Sequence, residues 1–287
     1  MALTVSRHTI PAAHAEAGVA ALRRRAEERI DGLEGDPRGF NRAMSLAVTS
    51  AEAHCLLDPR AAKLETWEAW VAAMQVGSAL FAAATAEPDA VVECRIAHKV
   101  RAIPATGAQY FTDAGTWITA YWLAVIGRDT ERMTALCHVP ITVLRDSGAV
   151  FDDYIYDWVD TLQTGWLQRP GMDDKLVAAI NGTDPERLRV ADRELMLKIL
   201  YPPLNLFYRY LRQDYDAFNT ELAKALEWHK EYWTADEERL SDTSGAVALG
   251  PLAITCLAYD AGFPIEVESE YLPKHLVQRT WVGEFDT

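Results

Sequence analysis

Apolar residues recur along this chain at the spacing of an α-helix, and that periodicity constrains its fold more than any other feature. Trp67, Trp70, Val71, Met74, Ser78 and Phe81 fall on one face of a long helix that Pro88 closes. Phe151, Tyr154, Ile155, Trp158, Val159 and Leu162 repeat the pattern, as do Phe218, Leu222, Ala225, Leu226, His229 and Trp233. Each stripe reads as the buried side of an amphipathic helix. The alternation of a half-buried strand is confined to Pro264-Ile265-Glu266-Val267-Glu268, which reads as an extended arm or, at most, a short edge strand. The fold class that follows is all-α.

The joints between helices point the same way. Asp36-Pro37, Asp58-Pro59 and Asp184-Pro185 each offer an N-cap followed by proline at the first helical position, and Thr183 with Glu186 offers a capping box at the last of them. Each is expected to start a helix. Three turns share a further pattern in which an Asp is followed four residues on by a docking apolar residue: Asp36 and Phe40, Asp129 and Met133, Asp214 and Phe218. Their long, uneven intervals exclude a regular tetratricopeptide array. The expected architecture is an irregular stack of antiparallel helical hairpins, tetratricopeptide-like at most, forming a single domain over 1–287 with the helices of 1–60 packed on the rest. Asp236 to Gly245 reads as a polar loop within it.

With 28 Lys+Arg against 42 Asp+Glu, the net charge of −14 argues against a nucleic-acid partner, because Arg23-Arg24-Arg25 is the only dense basic run. The most apolar segment, Trp117 to Ile126, is about half the length a bilayer needs, so no membrane span is expected. His8, His14 and Glu16 break the grammar of a signal peptide, and the expected location is cytoplasmic. Cys55, Cys94, Cys137 and Cys256 are too far apart for a zinc or redox pair and read as free, mostly buried thiols.

Chemistry-bearing patterns are few. Asp152-Asp153-Tyr154-Ile155-Tyr156-Asp157 resembles the aspartate motif with which terpene synthases hold magnesium and diphosphate, but its spacing differs and the second metal-binding element of those enzymes has no counterpart. Asp153, Asp157 and Asp160 lie at i, i+4 and i+7, opposite the apolar stripe, and are expected in solvent. His229 reads as a core histidine, and His54 lacks a second histidine at helical spacing. No glycine-rich phosphate loop is present. The residues therefore imply no metal, cofactor or catalytic set.

Ala246-Val247-Ala248-Leu249-Gly250-Pro251-Leu252-Ala253, Cys256-Leu257-Ala258-Tyr259-Asp260 and Glu268-Ser269-Glu270-Tyr271-Leu272-Pro273 resemble the immunity protein 49 family of bacterial polymorphic toxin systems. Met74 to Phe81 and Leu226 to Trp233 are similar to it as well, so the resemblance runs from about Trp67 to the C-terminus. It implies a mostly helical, non-enzymatic cytosolic inhibitor that binds a cognate toxin domain, and it carries no site residues with it. Acidity suits a basic partner, such as a nuclease-like toxin, and marks two candidate partner-binding clusters: Asp152, Asp153, Asp157 and Asp160, and Glu266, Glu268 and Glu270. Two alternatives stand beside this reading, a magnesium-dependent diphosphate-using helical enzyme and a tetratricopeptide-like peptide-binding scaffold.

Overall fold

The computed structural model describes residues 3–10 and 15–287; His14, on which part of the N-terminal reading rests, lies outside them. The order is β1 (Leu3–Thr4), α1 (Ala15–Asp31), α2 (Phe40–Leu57), α3 (Leu64–Thr85), β2 (Val91–Ile96), β3 (Lys99–Pro104), α4 (Ala114–Gly127), α5 (Thr130–Cys137) and α6 (Ile141–Asp146). It continues with α7 (Tyr154–Trp166), α8 (Met172–Gly182), α9 (Arg193–Leu195), α10 (Tyr201–Leu211), α11 (Tyr215–Trp233), α12 (Glu237–Leu240), α13 (Leu249–Asp260), β4 (Val267–Glu268) and α14 (Lys274–Val277). A π-helical stretch, Met196–Leu200, joins α9 to α10 without a break. The fold is all-α, and no helix among the described residues is long and apolar enough to cross a membrane.

The stripe on α3 is real but is only half of what that helix buries. Ala73, Val76, Gly77, Ala79, Leu80 and Ala83 are as inaccessible as Trp67, Trp70, Met74 and Phe81. Its far side is built of small residues, which register weakly as a stripe but allow neighbouring helices to approach. The neighbours are α2, α4 and the hairpin β2–β3. From α3 the packing passes to α4, then α13, α10 and α11, while α1 covers α2 and the α7–α8 pair leans on α4 and α10. Sequence neighbours do form pairs, yet α4 meets α13 across more than a hundred residues, which makes the stack irregular.

All three docking turns form. Asp36, Asp129 and Asp214 accept the amides of Arg38, Arg132 and Ala217, and Phe40, Met133 and Phe218 are buried behind them. Asp36 opens a 3₁₀ turn that leads into α2, and Arg128 and Gln213 take the left-handed positions that glycine usually fills at a helix end.

The other Asp-Pro pairs start no helix. Asp58 sits at the end of α2 and accepts the Ala62 and Lys63 amides and the Thr66 hydroxyl, closing the turn into α3. Asp184 accepts the Glu186 amide in a turn after α8. An aspartate-capped turn and a helix N-cap begin with the same hydrogen bond; the packing of later residues decides which one forms. Asp236 to Gly245, expected as a loop, is instead α12 followed by the 3₁₀ turn Thr243–Ala246, capped by Asp236 and Asp242.

The β2–β3 hairpin has no counterpart in the sequence expectations. Its strands pair antiparallel from Val91↔Pro104 to Ile96↔Lys99. Cys94, Ile96, Arg101 and Ile103 face inward, and an arginine in that set hides the alternation. Arg101 pays for its burial with a 2.7 Å bond to Asp31 at the end of α1. Ala97 and His98 form the turn, both with positive φ, where Asn-Gly would have announced it. The Ala97 amide is held by Gln75 of α3 at 2.9 Å.

All four cysteines are buried and free. His229 is a core histidine whose Nε2 lies 3.1 Å from the Gly245 carbonyl oxygen; burial pulls it down to about 4, against that hydrogen bond and with help from the neighbouring His8. Glu52, inside α2, is pushed up to about 8 by burial and then by the charge of Asp242.

Two predictions follow from this interior. A Cβ at Gly77 would meet Ala120 Cβ at 2.9 Å and Met44 Cε at 3.1 Å, whereas one at Gly18 on α1 would meet nothing within 4 Å. In chemical denaturation Gly77→Ala is expected to lose about 1–3 kcal/mol, and Gly18→Ala to gain up to about 1 kcal/mol; equal stabilities would contradict the close α3–α4 approach.

The second concerns pH. Above the ordinary carboxyl value of 4.5 the unfolded chain releases the Glu52 proton that the fold keeps up to about 8, so this group makes stability fall as pH rises through that window. His229 acts oppositely between about 4 and 6.5, where only the unfolded chain takes up its proton. From pH 6.5 to 8 the Glu52 effect stands clear of it, and unfolding free energy is expected to drop by about 2 kcal/mol. Glu52→Gln should flatten that slope; an unchanged slope would contradict the assignment.

Candidate partner-binding surface

The arm stays extended because a buried side chain reads its backbone. Asn219 of α11 donates to the Pro264 carbonyl and accepts from the Glu266 amide, both at 2.8 Å. The N-terminal segment then adds itself alongside: Leu3 and Val5 amides donate to the Glu266 and Glu268 carbonyls, giving a parallel β1–β4 pair with Leu3 opposite Val267. The expected edge strand is therefore present, two residues long. Val267 points inward, and Glu266, Glu268 and Glu270 are all exposed, as the alternation requires.

Further contacts fix the ends of the arm. Tyr271 is fully buried, and its hydroxyl accepts the His8 amide at 3.0 Å and lies 2.7 Å from His8 Nδ1. Arg7, nearly buried, donates to the Cys55 carbonyl at 2.9 Å and stands 3.5 Å from Glu270. Arg128 donates to the Leu276 and Val277 carbonyls, each at 2.7 Å, and pairs with Asp260 at 3.0 Å. These bonds shape a groove of about 710 Å³ beside the β1–β4 pair, with Val5, Pro59, Ile265, Val267 and Leu272 among its apolar walls and Glu268, Glu270, Arg60 and Lys274 in its lining. A partly apolar groove can hold a protein segment by shape, while the glutamates exposed along the arm beside it can attract a basic partner.

The other acidic cluster is partly consumed by the fold. Asp152 accepts the amides of Arg189, Val190 and Ala191, binding the segment after α8 to the start of α7. Burial alone would raise its carboxyl, but those amides hold it below its ordinary value. Asp160 is half-buried against Lys175 of α8, a correction to its expected place in solvent that follows from α8 packing across that flank of α7. Asp153 is exposed and pairs with Arg145 at 3.3 Å, and Asp157 is exposed as expected. Loss of solvent, then the charges of Asp153 and Asp160, push the Asp157 carboxyl up. The basic run is likewise offset, since Arg23 and Arg24 pair with Glu27 and Glu28 one turn on.

Asn219, Arg7, Arg128 and Tyr271 organise the surface, yet none stood out in the sequence. Their bonds go to backbone atoms of distant segments, which carry no side-chain pattern. The one available signal is Asn219 beside Phe218, a polar residue at the border of an apolar stripe. Asn219→Ala is expected to cost about 1–3 kcal/mol in denaturant unfolding and to speed limited proteolysis between residues 262 and 270; unaltered proteolysis would show that the arm is held by other contacts.

Comparison with known proteins agrees with the resemblance noted above. The family model of immunity protein 49 matches residues 58–276, which runs from before α3 into α14 and includes the arm. No curated protein and no solved structure matches the chain. The chain belongs to the immunity protein 49 family.

Proposed function

We propose that this protein neutralises a cognate toxin domain by binding it stoichiometrically in the cytoplasm, as a single folded unit and without catalysis. The observation that carries the reading is the family match over residues 58–276. Supporting it, the described fold invests its polar side chains in fixing backbone segments rather than in a nucleophile and base, and its net charge of −14 suits a basic, nuclease-like partner. The docking face is the β1–β4 groove with Glu266, Glu268 and Glu270; the exposed Asp153 and Asp157 add to the field that guides encounter, and Asp152 and Asp160 serve mainly the fold.

The magnesium-enzyme alternative loses its support here, because Asp152 is taken up by three backbone amides and Asp160 by Lys175. The scaffold alternative retains only the groove, which is shaped by one β1–β4 pair rather than by repeated hairpins.

Co-expression with the toxin domain encoded beside it is expected to restore growth, and the two chains should co-elute in size-exclusion chromatography at micromolar concentration. Replacing Glu266, Glu268 and Glu270 together by Gln should slow association at least tenfold and change dissociation little, because exposed charges act mainly on encounter. Association should also slow as added salt shortens the Debye length from about 10 Å to about 3 Å. Failure to rescue growth with no complex formed would remove the inhibitory reading.

A further inference from the structure

A second cavity, lined by residues of α2, α4, α7, α10, α11, α13 and the 3₁₀ turn Thr243–Ala246, has a volume of about 430 Å³. That is within the roughly 300–1,000 Å³ range of small-molecule sites. Three features mark it as more than a packing gap. The first is Glu52, 5% exposed, which lines the cavity and receives no hydrogen bond from any described residue. An isolated carboxyl in an apolar interior is costly and is normally retained only where something compensates it.

The second feature is aromatic. Trp122, Tyr154, Trp158 and Trp233 line the same space, with the Trp122 and Trp158 rings 6.1 Å apart and tilted by 53°. The third is the backbone: the π-helical stretch Met196–Leu200 supplies Lys198, Ile199 and Leu200 to the wall, and such single-turn departures from the α-helix concentrate at functional sites.

The charges around Glu52 leave the cavity short of a cation. Lys198 is the basic side chain in the wall, and it is already committed to Glu194 at 3.0 Å and Glu231 at 3.3 Å. Asp242, just before the 3₁₀ turn, adds negative potential at Glu52. His229 directs Nε2 to the Gly245 carbonyl. Aromatic rings around a buried carboxyl are the chemistry that recognises an organic ammonium ion, since ring quadrupoles attract a cation within about 6 Å and the carboxyl, which burial keeps protonated, gives up that proton to pair with it.

We propose that this cavity is a binding site for a small amphiphilic ammonium compound, an apolar body carrying one cationic nitrogen that pairs with Glu52 among Trp122, Trp158 and Trp233. The site is separate from the β1–β4 groove and does not depend on the toxin-binding role.

Isothermal titration calorimetry and thermal shift with phenylpropylamine, phenylpropanol and phenylpropanoate test it on the full chain. The amine is expected to bind with a submillimolar Kd and to raise Tm, with the alcohol at least tenfold weaker and the carboxylate weaker still. Glu52→Gln keeps the shape and removes the carboxyl that a bound ammonium would ionise, so it should fold and lose at least tenfold in amine affinity. Trp158→Phe, which retains a ring of smaller area, should weaken the amine severalfold. Alcohol binding as tightly as amine, amine binding unchanged in the folded Glu52→Gln variant, or no binding of the amine at millimolar concentration would each overturn the proposal.

Discussion

Helix α3 is buried around nearly its whole circumference, and the rest of the molecule is arranged by how closely its neighbours can approach it. Leucine or phenylalanine on every face would hold those neighbours apart. Ala73, Gly77, Ala79 and Ala83 instead form a smooth side, and at Gly77 the helix meets Ala120 of α4 so closely that a single Cβ has no room. With α3 and α4 in contact at this distance, Met74 fills the space against Gly127 at the far end of α4, and Gln75 reaches the turn of the β2–β3 hairpin. Interiors packed in this way transmit displacements rather than absorb them.

The proposed docking groove beside β1–β4 lies where extended segments meet, and the proposed ligand cavity at Glu52 lies where several helices converge. In each case the polar groups that shape the opening are anchored elsewhere: Asn219 and Arg128 by the backbone they hold, Lys198 by two glutamates. Exposed carboxylates such as Glu266 and Glu268 are then free of structural duty, unlike Asp152, whose removal would release the segment from Arg189 to Ala191. The two acidic clusters look alike as strings of residues and differ in what the fold asks of them.

The parts legible in the sequence are those governed by short-range rules. Helical stripes on α7 and α11, the capped turns at Asp36, Asp129 and Asp214, and the alternation around Val267 all show in residues a few positions apart or on one repeated face. The hairpin escaped because Ala97 and His98 occupy a turn that their own preferences do not favour; tertiary bonds from Gln75 and Asp31 impose it. Asp58 and Asp184 make the local bond of a helix cap, but the chain after Asp58 passes through Ala61 at positive φ before α3 begins, and the chain after Asp184 stays in a turn. At the candidate surface the glutamates were visible as a charge pattern, whereas Asn219 and Arg128 act on carbonyls and amides far away in the chain.

The central claim, that the arm face is where a partner docks, is tested most directly by hydrogen–deuterium exchange of the free chain and of its complex with the toxin domain. The account predicts that binding slows exchange in residues 3–8 and 264–272, with α3 slow in both states because it is already sequestered. Protection confined to α8 and the segment after it, with the arm unchanged, would contradict it.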